Sequence, residues 1–120
     1  MVSGIWFETD KVLIGGKWLP PAGGETITLF NPSDGQPLAR IARGTADDID
    51  AAVRAAQAAR RGDWGKLTAA ERGRLMLSLS RLILTRADDL AQIEALDVGK
   101  PLKQARADAV AMARYFEFYG

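Results

Sequence analysis

The sequence predicts an α+β chain, with strands and turns over residues 1–43 and helices over residues 45–120. Three observations predict this division. Short β-rich runs bounded by Gly, Pro and Asn fill the first part. Apolar residues recur at helical spacing from Thr45 onward. Glycine or proline then punctuates the joints between successive helical patterns.

The strand region reads in order. KVLIGGKWL (11–19) is two short apolar runs around Gly15-Gly16, the pattern of a tight hairpin. PPAGGE (20–25) is loop, and TITLF (26–30) alternates among strand formers. NPSDGQP (31–37) is turn chemistry throughout, and LARIA (38–42) is a further short strand.

Helices follow. Thr45 caps the first, with Asp47 and Asp48 in the turn where negative charge meets the positive end of the macrodipole. Ile49, Ala52, Val53 and Ala56 continue at helical spacing until RGDWGKL (61–67) interrupts with its glycines. Thr68 and Glu71 form a capping box, and Leu75, Met76, Leu79, Leu82 and Ile83 supply an apolar stripe. RADDLAQIEALDV (86–98) is a third helix, with Leu90, Ile93 and Leu96 on one side. Gly99 suits a left-handed stop. Pro101 suits the first position of a fourth helix running to about Tyr119.

Composition removes several functions. The chain has 120 residues, enough for one domain, and a compact chain of that size buries roughly two-thirds of its unfolded surface. It carries 16 basic and 15 acidic residues, mixed along its length, so no basic cluster marks a nucleic-acid or membrane partner. No apolar run is long enough for a transmembrane helix, and MVSGIWFETDK lacks the regions of a signal peptide. The expected location is cytoplasmic. With neither cysteine nor histidine, the chain holds no thiolate nucleophile, zinc site or Ser-His-Asp triad.

The remaining chemical candidates have plain structural readings. Gly99-Lys100 follows a helix, lacks the upstream glycine of a phosphate loop and precedes proline. Gly15-Gly16 and Gly23-Gly24 lack the dinucleotide fingerprint. The pairs Asp47/Asp48 and Asp88/Asp89 sit at helix starts, where acids are favourable without catalysis. The helix stop leaves Asp97 and Lys100 less explained, and their plain structural reading is that they bond the backbone of the joint. Trp6, Trp18 and Trp64 are expected to anchor a core or an interface. Phe116 can join the stripe of Ala105, Ala109, Met112 and Ala113, while Tyr115, Phe118 and Tyr119 point elsewhere and want a partner surface.

Specific words carry further. The Ile-Gly-Gly-Lys-Trp opening at 14–18, the Asn-Pro-x-x-Gly turn at 31–35, Glu-Arg-x-Arg-Leu at 71–75 and Leu-Asp-x-Gly-Lys-Pro at 96–101 occur in one order. Together, from about Val12 to Gly120, they resemble the beginning of an NAD(P)-dependent aldehyde dehydrogenase. The resemblance implies an α/β parent fold of Rossmann type. This segment would be a β-hairpin with short strands, followed by about four α-helices. It implies that residues 1–120 are one segment, the amino-terminal part of the cofactor-binding domain, with the catalytic domain outside it.

The resemblance also implies the chemistry of the parent: oxidation of a small-molecule aldehyde to a carboxylic acid, with NAD or NADP accepting hydride. In the family a cysteine thiolate attacks the aldehyde and a glutamate-activated water releases the acid. Those residues come later in such enzymes, so no residue here is assigned a catalytic or cofactor-binding role. The chain alone is expected to be inactive and to have the remainder of the dehydrogenase as partner, in a homo-dimer or homo-tetramer. One site carries over. Some family members hold a monovalent cation at positions matching the backbone carbonyls of Leu29 and Phe30 and the carboxylate of Asp97, oxygen ligands suited to a hard cation. The alternative is a non-catalytic interaction or structural module derived from the same family.

Overall fold

Two contact units make up the chain, seen in a computed structural model that describes residues 6–120. Met1–Ile5, which belong to the segment read as lacking a signal peptide, lie outside the described residues. The first unit contains Trp6–Phe30 and Pro37–Lys66; the second contains Asn31–Gln36 and Leu67–Gly120.

In the first unit, β1 (Val12–Ile14) and β2 (Lys17–Leu19) pair antiparallel, with Leu13 opposite Trp18. Gly15 and Gly16 link them at φ 57° and 77°. Both values are positive, as the tight turn that matches strand twist requires. β3 (Thr26–Phe30) pairs antiparallel with β4 (Pro37–Ala42), and the register shifts between Leu29 and Phe30. Pro37 has no N–H to give a ladder, so its place at the strand's first position costs no bond.

The first helix, α1 (Ala46–Arg61), packs against β1. Thr45 caps it through a reciprocal box with Asp48. Gly62 ends the helix, its N–H donating to the carbonyls of Ala58 and Ala59. The expected interruption after Arg61 is not all loop: Asp63–Lys66 forms a further helical turn, α2. The apolar spacing of α1 does not define a buried stripe. Ile49, Val53 and Ala56 are exposed, and Ala52 is half-buried. Of the two roles expected of the tryptophans, core or interface anchor, the core role is not met. Trp6, Trp18 and Trp64 are all exposed, although Phe7 stacks on Trp18 and meets Trp6 edge-on. Two-stranded sheets offer too little face to bury an indole.

In the second unit, α5 (Leu102–Tyr119) lies against both α3 (Ala69–Thr85) and α4 (Ala87–Val98). Its buried face is Ala105, Ala109 and Ala113, met by Ile83, Ala87 and Ala91 from the other helices. Small residues let helix axes approach closely, because interaxial distance follows the side chains at the crossing. The α3 stripe is split by this choice. Gly73, Met76, Ser80 and Ile83 lie on the buried or half-buried side, while Leu75, Leu79 and Leu82 are exposed. Gly73 and Leu75 differ by about 200° around the helix, so one side must lose.

The backbone at the end of α5 passes directly over Gly73. A Cβ at that position would stand 2.2 Å from the carbonyl oxygen of Gly120 and 3.2 Å from its carbon. Alanine in place of Gly73 gains about 1 kcal/mol of helix propensity and loses about 1–3 kcal/mol to overpacking. The expected outcome of Gly73→Ala is net destabilisation, read as a lower urea midpoint with an unchanged m-value. An increased midpoint would show that the crossing can open at no cost.

Candidate functional site

The joint between α4 and α5 is the segment in which the sequence concentrates unusual residues. The helix stops because Gly99 enters the left-handed region at φ 70° and ψ 19°, its N–H donating to Ala95. Pro101 follows one position earlier than expected. It is the N-cap of α5 rather than its first helical residue, at φ −54° and ψ 130°, and its carbonyl accepts from Gln104 and Ala105. Gly99 is also approached from outside the joint. A Cβ there would lie 3.0 Å from Cγ of Pro32.

That proline belongs to a tightly bonded turn. Asn31 Oδ1 accepts from Ser33, and Asp34 Oδ1 accepts from Gln36. The Asn31 N–H donates to Gln36, and the Gly35 N–H donates to Asn31. Thus the Asn-Pro-x-x-Gly turn and the Leu-Asp-x-Gly-Lys-Pro joint, 60-odd positions apart in sequence, touch within one unit.

Lys100 does not bond the backbone, contrary to expectation. Its Nζ donates at 2.6 Å to Glu94 Oε1 of α4 and at 2.6 Å to Asp108 Oδ2 of α5. The bond to Asp108, then the bond to Glu94, raises the ammonium pKa above its ordinary 10.5. The amine is therefore committed to two carboxylates, which leaves it no role as a phosphate hook. A second ion pair joins the same helices, between Arg106 and Asp88. The Asp97 side chain is solvent-exposed and makes no hydrogen bond or ion pair among the described residues.

The other two residues carried over for a cation stand at the end of β3, Leu29 half-buried and Phe30 exposed. They belong to the first unit and Asp97 to the second. Among the described residues, no group of three or more Asp or Glu side chains could hold a metal. Asp88 and Asp89 each serve an arginine, Arg106 and Arg86.

Asp48 is the acid that sequence reasoning undervalued. Only 8% exposed, it accepts from the Thr45 N–H at 2.8 Å, the Thr45 hydroxyl at 3.0 Å and the Ala22 N–H at 3.1 Å. The Thr45 N–H, followed by Ala22 and the Thr45 hydroxyl, holds its carboxyl below the ordinary 3.8 despite burial. It ties the PPAGGE loop to the start of α1. The Thr-x-x-Asp spacing could have revealed the cap, but nothing local reveals Ala22. Glu71 plays the capping part on α3, its pKa lowered chiefly by the Thr68 N–H.

The sites are structural joints, and comparison with known proteins supplies what they belong to. The aldehyde dehydrogenase family model matches residues 18–120. The chain belongs to the aldehyde dehydrogenase family.

Among solved structures, a Burkholderia cenocepacia protein described as an aldehyde dehydrogenase is 60% identical, with a TM-score of 0.89 over 91% of this chain and 23% of its own. A mutant betaine aldehyde dehydrogenase from Staphylococcus aureus, solved with NAD+, is 29% identical with a TM-score of 0.86, covering 92% of this chain and 22% of its own. Mitochondrial benzaldehyde dehydrogenase of Antirrhinum majus is 38% identical over 114 residues, which is 93% of this chain and 21% of that protein. The chain thus spans about a fifth of this curated relative. The short strands followed by helices are those of an aldehyde dehydrogenase.

The geometry of Asp48 sets an acid dependence. A carboxyl whose folded pKa is depressed contributes stability above its ordinary 3.8, and that stability is lost as pH falls through the lower folded value. Asp48→Asn is expected to lower the melting temperature at neutral pH and to flatten its fall below pH 3.8. Thermal melts of both proteins across the acid range check this. An unchanged acid limb would remove Asp48 from the account.

Proposed function

We propose that this chain is the amino-terminal part of the cofactor-binding domain of an enzyme that oxidises an aldehyde to a carboxylic acid. NAD or NADP supplies the hydride acceptor in that enzyme. The 120 residues alone are inactive in this reading. The observation that carries it is the family match over residues 18–120, in a chain spanning only about a fifth to a quarter of its relatives.

Chemistry within the chain supports assigning catalysis elsewhere. There is no cysteine to attack an aldehyde and no histidine to move a proton. Among the described residues, both sheets are antiparallel pairs, and the glycine pair at 15–16 turns a hairpin rather than opening a helix. These residues do not fit a dinucleotide, whose pyrophosphate seeks a Gly-rich strand-to-helix turn. The partner is then the remainder of the dehydrogenase, and the substrate a small aldehyde.

Location and assembly belong to the same proposal. Among the described residues no helix is long and apolar enough to cross a membrane. We take the parent to be a cytoplasmic homo-dimer or homo-tetramer. The name of the Antirrhinum relative puts that protein in the mitochondrion, so fractionation of the native protein decides between compartments.

A bound monovalent cation belongs to the same proposal. The Leu29 and Phe30 carbonyls and the Asp97 carboxylate are assigned to a monovalent cation in the whole enzyme. Its support is chemical: the ligands are oxygens, and Asp97 has no competing bond among the described residues.

The rival reading, a free-standing module, requires a polar surface. Against it stand the end of α5, where Tyr115, Phe118 and Tyr119 are 68%, 81% and 70% exposed, and the bare leucines of α3. Faces of that kind mark surfaces intended for contact.

Three experiments test these readings. Calorimetry of the 120-residue chain against NAD is expected to show no binding, and the chain joined to its following reading frame is expected to form NADH with aldehyde; micromolar NAD binding by the chain alone would sink the assignment. Light scattering is expected to show the isolated chain self-associating, whereas a monomer with one cooperative melt would favour the module. Potassium chloride is expected to raise the melting temperature of the whole enzyme more than choline chloride does, with the difference abolished by Asp97→Ala. Equal melting in both salts would remove the cation site.

A further inference from the structure

We draw no further inference here: the strongest candidate, the exposed aromatic face at the end of α5 formed by Tyr115, Phe118 and Tyr119, is an unpartnered apolar surface, and nothing in the structure shows what covers it.

Discussion

Close approach of α5 to α3 and α4 is the constraint on which the second unit depends. Its buried groups are mostly methyls and bare backbone: Ala87, Ala91, Ala105, Ala109 and Ala113, with Gly73 beneath the end of α5 and Ser80 and Ile83 beside it on α3. Among the described residues no large side chain is fully buried. Such a crossing relies on tight contact over many small groups, since dispersion is weak per atom and falls quickly with separation. It also dictates the connection. Helices held this closely need a short reversal, and Gly99 supplies one by entering the left-handed region.

That reversal is where the family words acquire physical meaning. Gly99 stops α4, Pro101 starts α5, and Lys100 between them pairs with Glu94 on one helix and Asp108 on the other. Pro32 closes on Gly99 from the Asn-Pro turn. A run that superficially suggests phosphate binding is thus a packed hinge point between helices. Its lysine already pairs with two carboxylates, which disfavours its holding an anion. The exposed pairs themselves add little stability, because water and salt screen them; their effect is to favour one arrangement of the two helices.

The first unit rests on a different device. Its strands are short and its helix leaves Ile49 and Val53 in solvent, so apolar burial does little of the organising. Asp48 substitutes for part of it. One carboxylate satisfies the start of α1 and also the Ala22 N–H of a loop 26 positions away. Both units expose large apolar side chains.

Much of the fold was legible in the sequence wherever the determining interaction is local. The Gly15-Gly16 hairpin, the Thr45 and Thr68 caps, the Gly99 stop and the strands at 26–30 and 38–42 each depend on residues within a few positions, β4 beginning one residue earlier than expected, at Pro37. Backbone sterics and capping bonds act at that range, so neighbouring residue types suffice. The family likewise was readable from the order of its words. Tertiary structure alone decided which side of α3 is buried, since Leu75 and Ile83 look equally fit for a core until α5 chooses Gly73's side. It alone gave Lys100 its partners and Asp48 its loop. Those bonds join atoms brought together across a helix break or from another element, and no spacing rule within one helix or strand encodes them.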